Sequence, residues 1–315
     1  FIYICLLYSL MSAYIFAYDK WLKKIFTNYI AIENMNIICI IIFIILNIII
    51  VFKKKNIINK INYLLSIALL LIYICMIYIC LPHIDIKLIK KINYENISNG
   101  LSLIITSFGF CVIIPTISVF LKKNKHQLII SIIIGSIIPL LVYIMWQFTI
   151  LGIFPTDGKY SLVELSYQKE NFDIMFIYFL EEILKISLVS KIILIFSLLA
   201  VLTSMIGISL SLVDFLYDNL NIKNNNNINK TIILSLIILP PIIISNYAPI
   251  GFTKILNLSG ILVSFLLGIL PTIIVWKGRY SLSIKSEFSV IGGKSLIIIT
   301  NLFFVYIIFY ELNII

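Results

Sequence analysis

Ile105-Thr106-Ser107-Phe108-Gly109-Phe110-Cys111-Val112-Ile113-Ile114-Pro115 lies inside a long apolar segment, and its reading decides the fold. A run lined with Leu and Ile propagates as helix. This one carries Gly109 and Pro115, with the hydroxyls of Thr106 and Ser107 just before the glycine. Glycine lowers helix stability and proline removes an i→i−4 hydrogen bond. In a bilayer, backbone groups freed in this way must be satisfied by other protein or by water in a cavity. The local chemistry leaves two readings open. One is a proline kink in a packing helix. The other is a helix interrupted to hold a small ligand near the bilayer midplane.

The rest of the chain supplies the bilayer. Of its 315 residues, 61% are hydrophobic and only 12% are charged, and the mean hydropathy is +1.11. A soluble domain carries about 25% charged residues. The net charge of +10 raises the question of a nucleic-acid partner. The lysines sit instead in short loops between apolar runs, as topology determinants do. Arg279 is the one arginine, so guanidinium-rich recognition of phosphate is excluded and no nucleic acid is expected. Cys5, Cys39, Cys75, Cys80 and Cys111 fall in apolar runs without CxxC spacing, and read as reduced, buried thiols. His83 and His126 sit at loop edges, so no metal site is expected.

The apolar runs read as about nine spans at roughly 20 residues each. They lie near 1–18, 36–52, 61–81, 99–121, 127–153, 187–213, 230–246, 255–276 and 292–313, and form one transmembrane domain over 1–315. Four lysine-rich loops are separated by even numbers of spans. They contain Lys53, Lys54, Lys55 and Lys60; Lys122, Lys123 and Lys125; Lys223 and Lys230 around the asparagine run 224–227; and Lys277, Arg279, Lys285 and Lys294. The positive-inside rule makes that side cytoplasmic, which puts residue 1 inside and the C-terminus outside. The acidic loop 154–186 suits the outer side; the basic loop at Lys87, Lys90 and Lys91 is the one exception. Within the long outer loop, Phe172 to Leu184 is expected to form a helix too short and too acidic at one end to be a further span. Glu181 and Glu182 are adjacent, hence about 100° apart on a helix, and do not form a facing acid–base pair.

Span interiors hold almost no ionisable groups. Asp214 lies near the inner end of its span, and reads either as a functional intramembrane acid or as a solvated end residue. No carboxylate sits at mid-membrane, and no nucleophile–base constellation is present, so an enzyme is not expected. Hydroxyls supply the remaining polar chemistry. Thr203 and Ser204 lie mid-span, and Ser204, Gly207 and Ser211 share one helical face. That face is either a small-residue packing seam or a polar stripe on a cavity.

Several motifs in order resemble one family. They are Thr106-Ser107-Phe108-Gly109-Phe110 with Pro115; Ile138-Pro139-Leu140, Tyr143 and Trp146-Gln147; Thr203-Ser204 and Gly207; Leu212 to Leu216 with Asp214 and Phe215; Leu239-Pro240-Pro241; and Pro249-Ile250-Gly251-Phe252. This run resembles the bacterial aromatic amino acid permeases of the amino acid–polyamine–organocation superfamily, and its tyrosine-specific branch in particular. The resemblance covers essentially the whole chain. It implies an all-α integral membrane protein with a leucine-transporter-like inverted-repeat bundle. The family has eleven spans and residue 1 aligns with the third, so the first two spans are expected to be missing.

The resemblance further implies a secondary active transporter of the bacterial inner membrane. It would import tyrosine, or alternatively tryptophan or phenylalanine, by proton symport, with no cofactor. Its partners are the aromatic amino acid, protons and the lipid bilayer; the residues carry no signal of oligomeric state. Backbone groups from Thr106 and Ser107 to Phe110 would contact the charged ends of the substrate, around Gly109. Phe108 or Phe110 would stack on its ring, and Tyr8 and Tyr14 would line the cavity. Thr203 and Ser204 occupy the place where other superfamily members bind a sodium ion, and with Asp214 are the ion-coupling candidates. One departure matters. The family pattern reads histidine then glycine after Ser-Phe-Gly-Phe, whereas this chain has Cys111 and Val112. That substitution and the missing spans motivate an alternative from another class: a membrane paralogue or sensor that does not transport.

Overall fold

In a computed structural model, the chain is described over residues 2–26, 35–53, 55–90, 100–122, 124–168, 172–220, 226–247, 252–284 and 292–312. Lys54, Lys91, Lys123, Lys223 and Lys285 of the basic loops, and the 249–251 part of the last motif, lie outside these residues. So do the side chains of Cys111 and Val112.

Apolar runs without β-branched alternation give helices, and among the described residues there is no strand. The helices are α1 (Ile2–Phe26), α2 (Met35–Phe52), α3 (Lys55–Cys80), α4 (Ile86–Ile89), α5 (Leu101–Ser107), α6 (Ile114–Phe120) and α7 (Lys125–Ile153). They continue with α8 (Leu162–Ser166), α9 (Phe172–Leu184), α10 (Ser187–Asn219), α11 (Asn227–Tyr247), α12 (Phe252–Val263), α13 (Leu270–Trp276) and α14 (Gly293–Glu311). Among the described residues, seven helical stretches are long and apolar enough to cross a membrane, and α2 is a shorter apolar helix. The segment near 99–121 is not one continuous span: α5 and α6 flank a 3-10 stretch over Gly109–Ile113. The helix expected at Phe172–Leu184 is α9. It buries Ile177, Phe179, Leu180 and Leu184 against α10 and its neighbours, so it is packed on the bundle.

Two clusters form the core. The larger joins α1, α2, α10, α11 and α12 through residues such as Leu6, Met11, Phe43, Leu212, Ile233 and Val263. The smaller joins α3, α7, α9 and α10 through residues such as Met76, Phe154, Leu180 and Val189. The hydroxyls of Ser9 (α1) and Ser259 (α12), both buried, meet at 2.8 Å, a polar contact between small residues that lets the two helices approach closely. Ile137, Leu141, Ile144, Leu302 and Ile299 are exposed on α7 and α14. Large apolar faces of this kind are unfavourable in water and at home in lipid.

Proline shapes three places. Pro139 lies inside α7, and Pro240 and Pro241 lie inside α11. Pro271 follows a π-helical turn over Ser264–Ile269 that links α12 to α13. The wider turn makes room for the pyrrolidine ring, which in a regular α-helix would clash with the carbonyl four residues back. Gly268 in that turn is needed for a close approach. A Cβ there would come within 2.3 Å of the Phe304 ring on α14.

Candidate functional site at the interrupted helix

The interruption follows from its residues, though not quite as the sequence implies. Phe108 ends α5, its N–H reaching back to the carbonyls of Ile104 (3.3 Å) and Ile105 (3.1 Å). Gly109 then begins a tighter 3-10 turn. Its φ is not positive, so the glycine is not there for left-handed backbone. Pro115 is not a kink within a helix. It occupies the first turn of α6, where a missing N–H costs nothing because that group has no intrahelical acceptor. The kink reading of Pro115 is therefore corrected: helix ends at Ser107 and a new helix starts at Ile114.

Side chains from four other helices converge on this break. Tyr143 of α7 packs edge-on to Phe108 with ring centroids 5.5 Å apart, and its hydroxyl donates to the Ser107 carbonyl at 3.3 Å. The Tyr14 hydroxyl of α1 lies beside Ser204 of α10, with Tyr143 nearby. Val263 of α12 stands 3.9 Å from where a Cβ on Gly109 would be. The arrangement presents one carbonyl edge, two phenols, one aliphatic hydroxyl and an aromatic face. Such a set can hydrogen-bond polar groups and stack a ring.

Of the residues singled out from sequence, Ser107, Phe108, Gly109, Tyr14 and Ser204 are brought together here. Thr106 and Phe110 are half-buried on either side of Phe108–Gly109. The Ser107 hydroxyl is turned away, donating to Leu103 O at 2.8 Å, so that residue offers its carbonyl. Thr203 likewise donates to Ala200 O at 3.0 Å within its own helix. Tyr8 is elsewhere: its hydroxyl donates to Leu236 O on α11 at 2.7 Å. Asp214 is ten residues beyond Ser204, hence about 15 Å along α10. It forms an ion pair with Lys55 of α3. Tyr143 was missed as a site residue. Its signal was its place on α7 four residues after Pro139, in a motif carrying a phenol where a packing helix needs only an apolar residue.

The fold and the break define an all-helical multi-pass membrane protein with one interrupted helix enclosed by aromatic and hydroxyl side chains. The chain belongs to the tryptophan/tyrosine permease family, whose model matches residues 1–311. It is similar to the tyrosine-specific transport system 1 of Haemophilus influenzae, with 27% identity over 245 residues, 77% of this chain and 60% of that protein. It is similar also to the low affinity tryptophan permease of Escherichia coli strain K12, with 27% identity over 205 residues, 65% of this chain and 48% of the permease. The tyrosine-specific transport system 2 of H. influenzae is 26% identical over 278 residues, 87% of this chain and 67% of that protein. The chain thus spans about half to two thirds of the length of these relatives. No solved structure matches it.

Proposed function

We propose that this chain carries the substrate-binding half-site of an aromatic amino acid importer, most directly for tyrosine, driven by proton symport across the bacterial inner membrane. The observation that carries the reading is the interruption at Phe108–Ile113 with Tyr143 set edge-on to Phe108 and bonded to the Ser107 carbonyl. Carbonyl oxygens at the end of α5 suit a substrate ammonium. Phe108 and Tyr143 suit its ring, and the Tyr14–Ser204 pair suits a phenolic hydroxyl. Relatives named for tyrosine and for tryptophan transport support the aromatic class. The bundle is read as the leucine-transporter type, with α5 and α6 forming one broken span among about nine, residue 1 on the cytoplasmic side and the C-terminus on the periplasmic side.

Protons fit better than sodium, because Asp214, the one carboxylate among the coupling candidates, is drawn into an ion pair with Lys55 at the far end of α10. Proteoliposomes holding the full-length protein should accumulate labelled tyrosine when the outside is acidified, without sodium. A protonophore should collapse that uptake. Uptake that requires a sodium gradient and ignores the protonophore would reject proton coupling and promote Thr203 and Ser204 to ion ligands. No uptake of tyrosine, tryptophan or phenylalanine under either gradient would favour the paralogue or sensor.

A further inference from the structure

A cavity of about 180 Å³ lies between α9 and the ends of α1, α3, α7 and α10. Trp21, Trp146, Phe172, Phe176 and Phe196 contribute its aromatic walls. Trp146 and Phe176 have ring centroids 6.2 Å apart, and Phe172 lies nearly parallel to Phe176 at 6.4 Å. Asp173 also lines the space, and its carboxylate accepts from Lys20 Nζ at 2.7 Å. An apolar cavity of about 150 Å³ is enough to hold a benzene ring.

The position of this cavity is set by helix periodicity. Trp21 is seven residues after Tyr14 on α1, and Ser197 is seven residues before Ser204 on the antiparallel α10. Two turns bring residues back to the same face, about 10 Å further along. Trp146 follows Tyr143 on α7 by three residues, again on one face. All three helices therefore turn the same face to both places. The cavity therefore lies about two helical turns from the break, toward the end of the bundle covered by α9.

We propose that this cavity is a second binding site for an aromatic amino acid zwitterion, an antechamber that substrate occupies on its way to the break. The inference rests on the transport reading above. The ring would enter the aromatic walls. The ammonium would pair with Asp173 and the carboxylate with Lys20, so the zwitterion supplies to each residue the charge that the other supplies in its absence. The side chains of Lys20 and Asp173 are 20% and 30% exposed, so the ligand would replace a partly buried pair charge for charge.

The test is equilibrium binding of labelled tyrosine to the purified full-length protein, read as moles bound per mole of protein. Two are expected for the wild type. Asp173→Asn and, separately, Ser197→Trp should each lower this to one. Ser197→Trp fills the cavity from α10 and leaves the ion pair intact, so it guards against a merely unfolded Asp173→Asn. Gly109→Ala should also leave one, retained at the cavity. Tyramine, which lacks the carboxylate, should compete at least tenfold more weakly than tyrosine for the site that survives in Gly109→Ala. A wild-type stoichiometry of one, lost in Gly109→Ala and unchanged in Ser197→Trp, would overturn the antechamber while leaving the transport reading intact. No binding of tyrosine or tryptophan at all would overturn both.

Discussion

Of two stretches of this chain that carry helix breakers, 101–120 and α11, only the first breaks. α11 contains Pro240 and Pro241 side by side, yet runs unbroken from Asn227 to Tyr247. The segment 101–120 contains one glycine and one proline, and separates into α5, a 3-10 turn and α6. The difference lies in what meets the backbone. Pro240 has no N–H for the carbonyl four residues before it, which is Leu236 O. Tyr8 reaches across from α1 and donates to that carbonyl at 2.7 Å, and Ser12 Oγ lies 3.3 Å from Pro241 O. At Pro240 the helix survives because a neighbour supplies the hydrogen bond that the proline cannot. At the break, Tyr143 donates to Ser107 O at 3.3 Å, where the helix has already ended. A tyrosine next to a disrupted helix can therefore be a splint or part of a site.

The largest effect expected at the break is from Gly109→Ala. The added methyl would sit 3.9 Å from Val263 Cγ2, an ordinary contact, and alanine favours helix by up to about 1 kcal/mol. The fold therefore accepts the substitution, and the full-length protein should insert at normal levels. It should nevertheless lose aromatic amino acid uptake, because the methyl occupies the closest approach of ligand to backbone and favours continued helix. Unchanged apparent affinity and rate for tyrosine would reduce the segment to packing. Tyr143→Phe comes next. It keeps the edge-on ring and removes one hydrogen bond, worth about 0.5–1.5 kcal/mol. Apparent affinity for tyrosine should weaken by a few-fold to roughly tenfold, with thermal stability near the wild type. A loss of melting temperature with unchanged uptake would move Tyr143 into the splint class.

Tyr8→Phe should show the opposite pattern. It leaves Leu236 O without its donor, at a cost of about 1–3 kcal/mol in stability, while uptake by the folded fraction is retained. A double-mutant cycle sharpens this. Pro240→Ala restores an N–H that can bond Leu236 O within α11, so Tyr8→Phe should cost less in that background than alone. Equal costs in both backgrounds, measured by thermal unfolding in detergent, would break the comparison between the two stretches.

Much of this was legible in the sequence, and the part that was not has a physical reason. The bilayer setting, the helix at Phe172–Leu184 and the interruption near Gly109 all follow from hydropathy, length and breaker residues, which are local properties. The roles of the three tyrosines on α1 and α7 are not local. Tyr8 and Tyr14 lie six residues apart on one helix with the same chemistry, and sequence reading treats both as cavity-lining. Only the packing of α11 against one and α10 against the other separates the splint from the site. Asp214 is a similar case. Its position near a span end is visible, but its partner Lys55 is 159 residues away and belongs to another helix. The adjacent prolines of α11 are visible in the sequence, but the Tyr8 hydroxyl that bonds the carbonyl freed by Pro240 comes from another helix.

Pro115→Ala is the smallest effect expected and the one that isolates the glycine. Pro115 stands in the first turn of α6, and the N–H that alanine would restore has no carbonyl waiting for it within the helix. Nor does its removal relieve a clash with an α-helical turn, since residues 109–113 before it are 3-10. What is lost is the fixed φ that lowers the entropy of the unfolded chain, worth about 0.4–1 kcal/mol. The full-length Pro115→Ala protein should therefore show a slightly lower melting temperature and retain uptake within about twofold to threefold of the wild type, a change of well under 1 kcal/mol. If it instead loses transport as completely as Gly109→Ala, the start of α6 sets the break, and the contrast with α11 would have to be drawn from proline position rather than from the partners of freed carbonyls.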